Sequence, residues 1–251
     1  MIRKATLLSI MPLLLTVAST ACAGPEARDR SELLIFAAAS LTDAFDAIQT
    51  AFEAEHPEFD VRISYSSTGS LREQITEGAP ADVFASADLH NMDLLVAAGA
   101  ALAPERFAGN EMQIAVPAGN PAAVTGLADL ARPELLVGLV VEAAPAGVLA
   151  RQILAAADVE PALDTEEPTV RALLGKIEAG ELDVGILFRT DVDSTDLVDG
   201  VDIPQGLNLQ TVYPIAVLTS SVNPAGARLF IDFVLSPAGQ AILAELGFHS
   251  P

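Results

Sequence analysis

The stretch Phe36-Ala37-Ala38-Ala39-Ser40-Leu41-Thr42-Asp43-Ala44-Phe45 (FAAASLTDAF) decides how the chain is read. An apolar strand over 33–37 runs into alanines and a serine, and a helical pattern begins at once. In that pattern Leu41, Ala44, Phe45, Ile48, Ala51 and Phe52 recur on one face of a helix over 41–55. Ser40 is a good N-cap, and Asp43 three positions on gives a variant of the capping box. Capping explains the serine but not the near-absence of side chains before it. Bare residues at the end of a buried strand leave room for a guest. A helix N-terminus offers that guest unpaired N–H groups, so the guest it suits is an anion.

Outward from this turn the chain alternates strand and helix, the pattern of parallel α/β sheets. Strands are expected at 33–37, 61–65, 83–85 and 111–116, with helices at 41–55, 70–77 and 89–98, the last capped by Asp88. After Pro117-Ala118-Gly119-Asn120-Pro121 the rhythm restarts: strands 135–141 and 184–188, helices 146–157 and 170–179. Strand 209–218 and two helices near 223–235 and 236–246 close the chain. Two such sets, joined near 116–120 and again near 212–217, imply two α/β lobes linked by two crossing strands. The first lobe is expected over 33–115 with 215–251, the second over 116–214. The cleft then lies between the lobes at the C-terminal ends of the strands.

Three more strand-to-helix turns face that cleft. Ser66-Ser67-Thr68-Gly69-Ser70 supplies hydroxyls and a glycine, Pro145-Ala146-Gly147 opens a helix with proline at its first position, and Pro168-Thr169-Val170 opens another with Thr169 as cap. Each alone reads as ordinary turn chemistry. Together they are four helix starts, small or hydroxylic, none carrying Lys or Arg. Such a site offers donors only. That suits a fully ionised tetrahedral dianion and disfavours phosphate, which keeps a proton near neutral pH and needs an acceptor.

Composition narrows the classes further. The 251 residues are 51% hydrophobic and 19% charged, so the chain is globular. A formal charge of −21 argues against nucleic acid or an anionic membrane surface as partner. An anionic guest remains compatible, because oriented dipoles in a closed cleft outweigh distant, salt-screened surface charge. Arg3 and Lys4 precede an apolar run, small residues and Cys22, the pattern of a secretory signal over 1–22 that is too short for a membrane span. Cys22 is the only cysteine, so no internal disulfide, zinc site or redox pair is available. Ser19-Thr20-Ala21-Cys22 resembles a bacterial lipoprotein acceptor, with serine where an aliphatic residue is usual. A lipid anchor at Cys22 is favoured over plain cleavage and secretion, and residues 23–32 then form a polar tether. The expected place is the outer face of the membrane, held by the lipid alone.

AAASLTDAF, then SLREQITEGAPADVFASAD over 70–88, then APAG over 144–147, VGILF over 184–188 and SPAGQAILAELGF near the end resemble the periplasmic molybdate-binding proteins of ABC importers. The likeness spans residues 33–248, and GAPADVFASAD is its most specific part. It implies the type II periplasmic-binding fold, an oxyanion held without positive charge, no cofactor, a permease partner and a monomer. The ligand it implies is molybdate, with tungstate as the neighbouring oxyanion. Carried over by position, the ligand contacts fall on Ser40, Thr68, Ala146 and Val170, with Ala39, Ser67, Ala87 and Phe188 as further members of the site. The family's tyrosine hydroxyl falls on Phe188, which has none. Losing that donor changes affinity or discrimination unless a neighbour such as Arg189 or Thr190 replaces it.

Three rival readings compete, of which an envelope scaffold is disfavoured by the absence of repeats or an obvious apolar surface stripe in the sequence. A receptor for sulfate, another oxyanion or a small organic acid differs only in its guest. A hydrolase would need His56, His90 or His249 within reach of Ser40 or Ser86, yet His56 ends a helix, His90 lies on a polar face and His249 is expected in a frayed C-terminus. GxSxG, P-loop and metal-ligand patterns are all missing from the sequence, so the chain is not expected to be an enzyme.

Overall fold

The structure, a computed structural model, describes residues 30–251. The signal at 1–22, Cys22 and the tether as far as residue 29 lie outside the described residues. The tether ends earlier than expected, because Ser31 and Glu32 already belong to a strand.

Strand β1 (Ser31–Ala38) is central to the first lobe. A turn of 3₁₀ helix over Ala39–Leu41 leads from it into α1 (Thr42–Glu55). Then come β2 (Phe59–Ser66), α2 (Thr68–Thr76), β3 (Val83–Ala85) and α3 (Leu89–Ala97). β1 lies parallel to both β2 and β3, with Ile35 opposite Ile63 on one side and Val83 on the other. A parallel sheet must be covered on both faces. α1 covers one face with Phe45, Ile48 and Phe52, each fully buried, which stabilises the lobe by roughly 1.5–3 kcal/mol per side chain. α7 (Pro224–Leu235) and α8 (Pro237–Glu245) return from the C-terminus to the same core, and Phe230 stacks edge-on against Phe52 at 5.3 Å.

The second lobe repeats the plan. β5 (Val137–Val140) lies parallel to β6 (Leu163–Glu167) and to β7 (Val184–Phe188). α4 (Pro145–Ala156) and α5 (Val170–Glu178) pack Ala150, Ile153, Leu173 and Ile177 into a separate core with Leu139 and Ile186. A four-residue helix α6 (Arg189–Val192) follows β7, and the short β8 (Val198–Val201) is an edge.

Two strands join the lobes, β4 (Glu105–Pro117) and β9 (Gln210–Val217). The first half of β4 pairs antiparallel with β9, down to Glu111 opposite Gln210. From Met112 onward it pairs instead with β7 and β8. The exchange of partners thus falls at Glu111 and Met112, a few residues before the sequence places the join. Asn208 clips this point: its Oδ1 accepts from Met112 N at 3.2 Å and its Nδ2 donates to Met112 O at 2.9 Å. β4 exceeds the expected strand over 111–116 because Phe107, Ala108 and Asn110 are buried although their run lacks clean alternation. β6 and β8 were not anticipated, since LDTEE and VDGV are too polar to read as strands. The C-terminus is not frayed at His249. Its backbone exchanges two hydrogen bonds with Gly109, at 2.7 and 3.1 Å.

Candidate functional site

The four turns meet around one cavity between the lobes. Ala38, Ala39 and Ser40 come from the end of β1, Ser66, Ser67 and Thr68 from the end of β2, Ala144, Pro145 and Ala146 from the start of α4, and Thr169 and Val170 from the start of α5. Ala87, Val140 and Phe188 complete the wall. All eight residues singled out by position therefore line it. None of the lining side chains is ionisable. The cavity holds about 20 Å³, room for one compact group where a single water needs at least about 10–15 Å³.

Each wall segment has a local cause. At the first turn Ser40 does not cap α1 as expected; no side chain does. Thr42 Oγ1 ties the turn by donating to Ala39 O at 2.7 Å. Ser40 Oγ is released from capping and sits 3.0 Å from the hydroxyl of Tyr213 on β9. At the second turn Ser67 is the cap, accepting from Ser70 N, and the helix starts at Thr68 instead of Ser70. Thr68 Oγ1 accepts from Ala87 N at 3.2 Å. This occupies the Ala87 N–H, so Ala87 shapes the cavity without offering a donor to it. It also leaves the Thr68 proton free to donate elsewhere, because a hydroxyl has only one.

At the third turn Pro145 occupies the first helical position and Gly147 lets α4 sit on the end of β5. A Cβ at Gly147 would stand 2.1 Å from Val141 O. Ala146 is buried, and its N–H belongs to the helix's unpaired first turn. At the fourth turn Thr169 caps α5 by accepting from Ala172 N at 3.2 Å, and Val170 presents the first helical N–H. Phe188 ends β7 with its ring tilted against Tyr213, centroids 6.0 Å apart.

Charge lies just outside this wall. Arg171, next to Val170, turns its guanidinium to an ion pair with Asp43 on α1 and so bridges the lobes. Its Nε also stands 3.7 Å from Asp191, a fully buried carboxyl whose oxygens have no hydrogen-bond partner among the described residues. Burial pushes the Asp191 carboxyl up to about 7, against the pull of Arg171. Burial likewise holds the Tyr213 phenol far above its ordinary range, so it is neutral at any physiological pH. Tyr213, Asn110 and Arg171 were not anticipated from the sequence. Tyr213 is one of only two tyrosines and lies in a strand marked as crossing between lobes, which was the available signal.

The residues of the hydrolase alternative stay apart. Ser86 Oγ donates to Asp88 O at 2.6 Å, His56 caps α1 and stacks on Phe52 at 4.7 Å, and His90 is exposed. Among the described residues no cluster of three His, Cys, Asp or Glu side chains is placed to hold a metal ion, and no single helix is long and apolar enough to cross a membrane.

Two lobes crossed by two strands, with a small uncharged cavity walled by helix starts, define a receptor for a compact solute. The chain belongs to the family described as bacterial extracellular solute-binding protein, whose model matches residues 33–249. It is 38% identical over 231 residues to the molybdate-binding protein ModA of Mycobacterium tuberculosis, covering 91% of this chain and 88% of that one. The substrate-binding domain of a putative molybdenum ABC transporter from Clostridium difficile superposes with a TM-score of 0.67 at 26% identity, over 88% of this chain and 99% of that one. The periplasmic molybdate-binding protein of Azotobacter vinelandii shares the fold, with a TM-score of 0.75 at 20% identity, over 87% of this chain and 99% of that one.

Proposed function

We propose that this protein captures molybdate outside the cytoplasm, accepts tungstate as the oxyanion of the same shape, and delivers its cargo to the permease of an ABC importer. The carrying observation is the cavity itself: four helix starts and five hydroxylic side chains converge with no ionisable side chain among them. Ser40, Thr68, Ala146 and Val170 donate to the oxyanion. Charge-assisted bonds of this kind contribute roughly 1.5–3 kcal/mol each, so four or five sustain tight binding after the entropic cost. A hydrogen phosphate would bring an O–H to a wall rich in N–H donors and without a carboxylate to receive it, and a buried unpaired donor costs about 1–3 kcal/mol.

The lobes of this reading are residues 33–115 with 215–251, and 116–214, closing about β4 and β9. Its role is capture and hand-over as a monomer, without chemistry on the guest and without a resident cofactor. Cys22 carries the lipid that keeps the receptor at the membrane. Relatives named for molybdate binding and molybdenum transport support the choice of guest. Calorimetric titration of the mature chain with molybdate, tungstate, sulfate and phosphate tests it. Saturable binding of molybdate and tungstate, with sulfate and phosphate far weaker, is expected; a preference for sulfate would reassign the guest.

A further inference from the structure

Behind Ser40 lies a buried polar chain that fixes the direction of the hydrogen bond between Tyr213 and Ser40. Asn110 Oδ1 accepts from the backbone N–H of Glu111 at 2.9 Å, which only a carbonyl oxygen can do. The amide nitrogen must therefore be the atom facing Thr190 Oγ1 at 2.8 Å and Tyr213 Oη at 3.4 Å. An amide NH₂ donates and cannot accept, so Tyr213 Oη is the acceptor of that contact. The single phenolic proton is then left for Ser40 Oγ, 3.0 Å away. In the opposite arrangement Ser40 would donate to Tyr213, and a fully buried phenolic O–H would point at an amide NH₂ with no acceptor. Phe107, Phe188 and Phe248 hold the Tyr213 ring, with centroids 6.2, 6.0 and 5.5 Å away.

We propose that Tyr213, held by Asn110, is a positioning residue that donates to Ser40, leaves the serine proton for the cavity and occupies one of its two lone pairs, and so favours fully deprotonated oxyanions over protonated ones. This rests on the oxyanion reading of the cavity. It assigns Phe188 a different task from ligand contact: the ring braces the tyrosine whose hydroxyl acts through Ser40. Without Tyr213 the serine hydroxyl loses its fixed donor partner, and both of its lone pairs become available to the O–H of a hydrogen phosphate.

The test is calorimetric titration of wild type, Tyr213→Phe, Ser40→Ala and the double variant with molybdate and with phosphate at pH 7, melting curves confirming that each is folded. Tyr213→Phe is expected to lower the molybdate-to-phosphate affinity ratio by about tenfold, the scale of one oriented hydrogen bond. In the Ser40→Ala background the same change should have no further effect, because it acts through that hydroxyl. Asn110→Ala, which frees Tyr213 to rotate, should move the ratio in the same direction, and it serves if Tyr213→Phe does not fold. A wild type that binds molybdate beside a folded variant with an unaltered ratio, or full additivity in the cycle, overturns this inference alone. A wild type that binds no tetrahedral oxyanion overturns the reading of the cavity and this inference with it.

Discussion

Thr68 Oγ1 is committed as an acceptor within the protein, and the proposed direction of the Tyr213 bond gives Ser40 Oγ the same role. Thr68→Val keeps the shape and removes the donor. It should weaken molybdate binding by roughly 1.5–3 kcal/mol in calorimetry, more than tenfold, and also lower the ligand-free melting temperature, because the buried Ala87 N–H loses its acceptor. Phe188→Tyr adds a hydroxyl on the cavity wall and should tighten binding; unaltered affinity would mean that the new hydroxyl does not reach the guest. Asp191 yields a pH prediction. Its folded-state carboxyl is raised above the unfolded value, so the folded form holds a proton that the unfolded chain has lost between about pH 4 and pH 7. Stability from this group is present below that window and lost as pH rises through about 7. Asp191→Asn should therefore match wild type near pH 4 and be the more stable of the two at pH 8 in chemical denaturation. At this scale the small and hydroxylic residues were legible, because a bare turn before a helix is visible locally. Tyr213 was not, since its partner Ser40 lies 173 positions away.

Among the elements, helix starts decide the site and glycines decide how closely they meet. Gly69, in the first turn of α2, faces the loop before α4 across the cleft: a Cβ there would stand 2.9 Å from Ala143 O. Gly69→Ala should wedge the lobes apart and weaken oxyanion binding severalfold. The ligand-free melting temperature should hold or rise, since alanine outranks glycine in a helix by about 1 kcal/mol. Opposite signs in the two measurements separate a closure defect from a folding defect. The helices were readable from their caps and 3.6-residue period, as with Asp88, which caps α3 by accepting from Asn91 N at 2.8 Å. The edge strands β6 and β8 were not, because an edge tolerates polar residues on faces that carry no core. Ser40 reads as a cap in the sequence but does not act as one. The 3₁₀ turn places it before the helix proper, and its preferred partner comes from the other end of the chain.

For the whole molecule, a formal charge of −21 surrounds a site for a doubly negative guest. The two are reconciled by distance and dielectric. Surface carboxylates act through salt water and are screened within about 10 Å at 0.1 M, while the cavity dipoles act at contact in a closed space. Binding should therefore respond weakly to ionic strength, with an affinity change within about twofold between 0.05 and 0.5 M salt. A site built on Arg171 would weaken far more steeply. The ion pair of Arg171 with Asp43 instead links the lobes beside the cavity, and Ala39 packs into the second lobe's core from the first. The most direct measurement is a crystal structure grown with molybdate, with the metal located by its anomalous scattering. The molybdenum should lie inside the cavity with its oxygens about 2.7–3.1 Å from Ser40 Oγ, Thr68 Oγ1, Ala146 N and Val170 N. A metal peak beside Arg171, or an empty cavity under saturating molybdate, would contradict it.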